Sequence, residues 1–146
     1  MTADAGASIT LSRDIAASPE RVFEIWTDPK AMMRWFGLDG ITNLEAGFEP
    51  HVGGRWFSKG RDPHGNVFSM EGTVTAFEPG RRLGQLWAYV GADGERGNET
   101  AVEVLFEPID TGCRVTVTHS RILHTPEQFQ AGWEQSLGRI EALAMG

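Results

Sequence analysis

One cysteine, Cys113, leaves the chain without a disulfide framework and without the paired thiolates of a zinc site. The four histidines, His51, His64, His119 and His124, fall on separate segments with neither H-x-x-x-H nor H-E-x-x-H spacing. No metal is therefore expected, and no other cofactor is called for. There is no G-x-S-x-G elbow to expose a nucleophilic serine. The glycines at Gly53-Gly54 and from Gly91 to Gly97 lack the strand-to-helix setting of a phosphate-binding loop. Lysine is scarce: of thirteen basic residues only Lys30 and Lys59 are lysines, no basic run occurs, and the formal net charge is -7. That balance excludes a nucleic-acid-binding surface, which needs clustered base. No apolar run approaches the roughly 18 residues of a membrane span, and Met1 to Ser8 is polar and acidic where a signal peptide would be basic and then apolar. The expectation is a soluble, cytoplasmic chain.

What is present is aromatic: five Trp and eight Phe in 146 residues, with 40% hydrophobic content, enough for one domain with a substantial core. Residues 1 to 7 read as a loose tail and 8 to 146 as the domain. Ile9, Leu11, Arg13 and Ile15 alternate with polar or small residues, the period of a half-buried strand that carries Arg13 on its apolar side. Ser18-Pro19-Glu20 and Asp28-Pro29 each start a short helix, the second ending at Gly37. From Ile41 to Ile122 strands and turns follow one another: a weak strand over Leu44 to Pro50, then Arg55 to Lys59. A strand over Val67 to Phe77, interrupted near Gly72, precedes one over Leu83 to Val90. Thr100 to Glu107 and Cys113 to Arg121 are the cleanest pair. Short connections imply an antiparallel meander with one apolar face.

The last stretch reads as one long helix. Thr125, Pro126 and Gln128 form a capped start with a T-x-x-Q capping box. Phe129, Trp133, Leu137, Ile140 and Ala144 draw an apolar stripe, with Gly132 and Ser136 leaving room beside Trp133. Glu127, Glu134, Arg139 and Glu141 face water. A helix of about 20 residues spans roughly 30 Å, and the meander supplies the apolar surface it needs. The fold class is α+β, with helices on one face of a curved antiparallel sheet.

These residues, taken in order, resemble a known family. Ser18-Pro19-Glu20-Arg21-Val22-Phe23, Trp26, Asp28-Pro29 and Arg34-Trp35-Phe36-Gly37 match its N-terminal signature. Val52-Gly53-Gly54-Arg55-Trp56, Glu71-Gly72-Thr73-Val74, Pro79-Gly80-Arg81-Arg82-Leu83 and Trp87 match its middle. Val115-Thr116-Val117-Thr118-His119 and Gly132-Trp133 match its end. The set resembles the START-like (SRPBCC) superfamily, and within it the bacterial relatives of the activator of the 90-kDa heat-shock protein's ATPase. The resemblance implies a helix-grip fold: six to seven antiparallel strands curved around the long C-terminal helix, two short helices after the first strand, and a cavity between sheet and helix. It implies an apolar, lipid- or polyketide-like small-molecule ligand, or a cyclase, aromatase or hydrolase acting in the same place. A stress- or chaperone-associated role exerted through the surface is the third alternative, and a homodimer is left open.

Trp35, Phe36, Trp56, Trp87, Phe106, Val117 and Trp133 either fill a core or converge on that cavity, and Met70, Tyr89 and Leu137 join them as candidate ligand contacts. His119 alternates with Val115 and Val117 and so points inward. It either orients a ligand, acts as general acid/base, or is a buried histidine satisfied by a carbonyl or an indole. Arg13 and Arg121, also on inward positions, could hold an anionic group, against the plainer reading of snorkelling or pairing with a Glu.

Overall fold

Strand β1 (Ala7–Ile15) keeps Ile9, Leu11, Arg13 and Ile15 on its inner side, and the chain then turns through Ala16-Ala17 into two helices. The computed structural model describes residues 6–146; the tail expected over residues 1 to 7 lies outside the described residues up to Ala5, and β1 already begins at Ala7. Helix α1 (Pro19–Thr27) starts where Ser18 Oγ accepts the Arg21 amide at 3.1 Å with Pro19 at the first helical position. Asp28 then does two jobs. Its amide closes α1 on the Glu24 carbonyl at 3.0 Å, and its carboxylate caps α2 (Pro29–Trp35) through the Lys30 amide at 3.0 Å.

The remaining strands are β2 (Thr42–Phe48), β3 (Arg55–Arg61), β4 (Val67–Glu78), β5 (Arg82–Val90), β6 (Thr100–Ile109) and β7 (Gly112–Ile122). They form one seven-stranded antiparallel sheet in the order β1-β7-β6-β5-β4-β3-β2. The meander runs unbroken from β2 to β7, and β1 returns to pair with β7. Helix α3 (Pro126–Met145) packs on β1 at one edge, α2 packs on β2 at the other, and both helices touch α1. Helices that touch each other while reaching opposite edges of one sheet require that the sheet curl around them. This is the expected helix-grip architecture.

The core fills one end of the concave face. Leu83 of β5, Val102, Val104 and Phe106 of β6, and Val115 and Val117 of β7 are buried against Val22, Phe23 and Trp26 of α1 and Trp133, Leu137 and Ile140 of α3. Phe106 meets Phe23 edge-on at 5.2 Å and Trp26 at 5.5 Å, and Trp26 stacks on Trp133 at 5.8 Å. At about 25 cal/mol per Å² an indole burying about 200 Å² contributes roughly 5 kcal/mol gross, against about 1 kcal/mol for an ordinary hydrogen bond. Aromatic burial supplies the stabilisation; the polar links set the geometry.

Three expectations are corrected. β4 runs through Gly72 without a break, and its irregularity falls between Val74 and Ala76, where the pairing with β5 shifts register. Thr125 does not form the capping box: it sits in the left-handed region (φ 53°), its hydroxyl donates to the His124 carbonyl at 2.8 Å, and the Gln128 amide goes to the Thr125 carbonyl at 3.0 Å. Arg121 is exposed, because its own left-handed backbone (φ 62°) and a bulge opposite Ser8 shift the alternation and bring Ile122 inward.

Gly72 stands where the Trp56 indole N–H donates to the Leu86 carbonyl at 3.0 Å, and a Cβ at residue 72 would overlap that carbonyl oxygen. Gly72→Ala is expected to cost about 3 kcal/mol by forcing the two strands apart, a fall of about 6–12 °C in thermal midpoint. A midpoint within 2 °C or so of the parent in a calorimetric scan would show that the sheet yields there freely.

Candidate functional site

The other end of the concave face is hollow. A cavity of about 600 Å³ lies between the N-terminal half of α3, the segment after α2, and strands β2 to β6. Its deep walls are Trp35, Phe36, Met70, Trp87, Phe129 and Trp133, with Asn43, Ser58, Thr100 and Ser136 as the polar interruptions. Its mouth carries Asp62, Tyr89, Asn98, Leu123, His124 and Gln128. Phe36 stacks on Trp87 at 5.1 Å, Trp87 leans on Trp133 at 5.3 Å and on Trp56 at 5.1 Å, and Tyr89 stacks on Phe68 at 5.5 Å near the rim. The space exists because small residues stand at the facing positions. A Cβ on Gly132 would meet only the Leu38 side chain, at 3.9 Å.

The wall after α2 is held at a distance by side chains that grip its backbone. Arg139 of α3 donates to the Trp35 carbonyl at 3.0 Å and the Gly37 carbonyl at 2.6 Å, and pairs with the Asp39 carboxylate. Gln135 accepts the Asp39 amide at 2.7 Å. From β2, Asn43 Nδ2 donates to the Met33 and Phe36 carbonyls at 2.9 and 3.1 Å. Because carbonyls only accept, the Asn43 nitrogen must face them, and its Oδ1 is left as an acceptor on a residue that lines the cavity.

His119 lies one layer behind the wall. It has no exposed surface, packs edge-on to Phe129 at 4.5 Å and to Trp87 at 5.1 Å, and both ring nitrogens are occupied. The Trp133 indole N–H donates to Nδ1 at 3.0 Å. An indole nitrogen is donor only, so Nδ1 must be the bare acceptor and the proton sits on Nε2, which donates to Thr100 Oγ1 at 2.7 Å. Thr100 in turn donates to the Trp87 carbonyl at 3.4 Å. Protonating Nδ1 would set two N–H groups against each other. Burial pushes the imidazole pKa down to about 4. His119 is thus a neutral brace between α3 and β6, and its geometry gives it no free nitrogen for a ligand or for proton transfer.

Of the candidate contacts, Trp35, Phe36, Met70, Tyr89, Trp87 and Trp133 come together on the cavity. Trp56, Phe106, Val117 and Leu137 are buried in the packing behind it. Arg13 does not reach the cavity; it donates to Glu141 of α3 at 2.9 Å. Arg121 is turned outward at the bulge. Cys113 is fully buried and burial raises its thiol to about 11, which leaves it inert. Ser58 and Thr100 were missed, although period two reaches both: Ser58 stands two residues after Trp56, and Thr100 two before Val102. Asn43 had no such signal, because the register shift between Asn43 and Glu45 sets its direction. Arg139, read as water-facing, reaches across to backbone that no periodicity reveals.

A family model described as Activator of Hsp90 ATPase homolog 1-like protein matches residues 16–145. Among solved structures, a protein from Chromobacterium violaceum superposes with a TM-score of 0.85 at 23% identity, covering 96% of this chain and 99% of that one. The AHSA1 protein of Silicibacter pomeroyi is 29% identical with a TM-score of 0.82, over 95% of this chain and 99% of that one. The AHSA1-like protein of Aeromonas hydrophila is 28% identical with a TM-score of 0.74, over 93% and 90% respectively. No curated protein matches the chain. Among the described residues no helix is long and apolar enough to cross a membrane, and no cluster of His, Cys, Asp and Glu is placed to hold a metal ion.

The buried His119 gives a signed pH dependence. The unfolded chain takes a proton on this residue near pH 6.5, whereas the folded protein refuses it until about pH 4. Its contribution is therefore whole above pH 6.5 and is lost as pH falls toward 4, by roughly 3 kcal/mol. Urea unfolding of the parent and His119→Gln across that range should show the difference between the two shrinking as pH drops. Parallel curves would mean that the imidazole takes its proton as readily in the fold as in the unfolded chain.

Proposed function

The chain belongs to the Activator of Hsp90 ATPase homolog 1-like family, and from that membership and the hollow end of its sheet we propose that it binds an apolar, aromatic small molecule between the sheet and α3. Such a domain is a ligand-binding fold in general terms. The observation that carries the narrower reading is the wall itself: three indoles and three phenyl rings around about 600 Å³, a volume within the range of small-molecule sites. Flat rings gain from stacking and edge-on contact with such walls beyond the area they bury. Turnover is a weaker reading of the same cavity. The group best suited to acid/base work, His119, is neutral at physiological pH and spends both nitrogens on Trp133 and Thr100.

Gly132 offers the direct test, since its missing side chain is part of the hollow. Gly132→Leu should retain cooperative unfolding, helped by better helix propensity worth up to about 1 kcal/mol, while filling the space beside Trp133. In a thermal-shift screen of apolar aromatic compounds, a ligand at about a hundred times its Kd should raise the parent midpoint by about 5–10 °C and the variant by far less. The proposal fails if no compound shifts the parent, or if a binder shifts Gly132→Leu equally.

A further inference from the structure

The proposed ligand can be narrowed by asking which hydrogen bonds the cavity still has to give. Among the deep polar side chains, both Asn43 amide protons are spent on carbonyls, leaving Oδ1 to accept. Thr100 sends its proton to the Trp87 carbonyl, and Ser136 sends its own to the Gly37 carbonyl at 3.5 Å. Each of those oxygens retains acceptor capacity only. Ser58 differs. It is 4% exposed, lines the cavity, and its hydroxyl has no hydrogen-bond partner among the described residues, so it can both donate and accept. The Trp87 indole N–H also lacks a partner, but it is sealed from the cavity surface.

No Arg or Lys lines the cavity. The guanidinium that reaches the backbone of the cavity wall, Arg139, is committed to two carbonyls and to Asp39. The carboxylate at the mouth, Asp62, accepts the amides of Asn66 and His64 at 2.9 Å each; chiefly the Asn66 amide holds its pKa below the ordinary value, so it stays charged. Past this negative group, a ligand carboxylate seated at depth would meet lone pairs, with the Ser58 hydroxyl as the one uncommitted donor among the deep polar side chains of the described residues. Burying an anion without a counter-charge is costly. A neutral hydroxyl meets the opposite case, since it brings the proton that the wall lacks and Ser58 can complete the pair.

We infer that the cavity selects neutral aromatic molecules carrying a hydroxyl group and rejects the corresponding carboxylates, with Ser58 as the specificity-determining contact. This rests on the binding role proposed above.

Three probes with a common ring system separate the possibilities: naphthalene, 2-naphthol and 2-naphthoic acid, measured at neutral pH by equilibrium dialysis against the full chain. 2-Naphthol should bind about 3- to 10-fold more tightly than naphthalene, the worth of one well-made hydrogen bond, and 2-naphthoate should bind more weakly than either. Ser58→Ala should bring 2-naphthol down to the affinity of naphthalene while leaving naphthalene unchanged. Naphthoate binding as tightly as naphthol would overturn the selectivity and leave the cavity-binding role standing. Equal binding of naphthol to Ser58→Ala and the parent would remove Ser58 from its assigned part. If none of the three binds, or all bind undiminished to Gly132→Leu, both this inference and the reading it rests on are lost.

Discussion

The indole N–H of Trp133 has one thing it can do, and that is donate. Buried between helix and sheet, it needs an acceptor, and His119 Nδ1 is the acceptor it has. That one bond fixes the tautomer of the imidazole, directs its other nitrogen at Thr100, and so ties α3 to the centre of the sheet through β7 and β6. Much larger free energies come from the aromatic packing around it, but apolar contact is tolerant of rotation and a hydrogen bond is not. With Trp133 pinned, α3 has one rotation about its axis that keeps Leu137 and Ile140 in the core and presents Gly132 and Ser136 to the hollow. The link at Glu141, which takes the Arg13 guanidinium of β1, holds the far end of the helix in the same rotation.

The concave face is divided along its length. At one end Phe23, Trp26, Phe77 and Phe106 fill the space between α1 and the sheet with edge-on contacts at about 5 Å. At the other, the residues opposite α3 are Ser58 and Gly60, and the helix answers with Gly132 and Ser136. The missing volume on both sides cannot be recovered by collapse, because the segment after α2 is gripped from α3 by Arg139 and from β2 by Asn43. A cavity persists where closing it would break hydrogen bonds as well as bring apolar surfaces together.

Most of the fold was legible in the sequence because it follows from period: two in the strands, three to four in α3, with Pro and Asp at the helix starts. The inward faces of β1 and, up to His119, of β7 followed from the same alternation. What was not legible lay where the period slips. The bulge opposite Ser8 turns Arg121 outward, the register shift before Glu45 aims Asn43 inward, and the left-handed backbone at Thr125 cancels a capping box whose spacing was correct. The cavity candidates divided for a related reason. Alternation tells which side chains face inward, but whether an inward residue touches the hollow or the packing behind it depends on how far the opposing helix stands off. Trp56 and Trp87 are cross-sheet neighbours of the same type, yet one is buried behind the other.

The segment from Met33 to Asp39 is anchored largely through its main chain: the carbonyls of Met33, Trp35, Phe36 and Gly37 accept from Asn43, Arg139 and Ser136, and the Asp39 amide donates to Gln135, with the Trp35 indole on the Ile25 carbonyl and the Asp39 carboxylate on Arg139 as its side-chain anchors. The hydrogen bonds that hold this backbone do not involve the side chains of Phe36 and Leu38, and those are the side chains that shape one flank of the cavity. In evolutionary terms the scaffold and the specificity are stored in different atoms. A few substitutions at residues 36 and 38 could re-cut the pocket for a different ring system while every hydrogen bond that keeps it open stays in place.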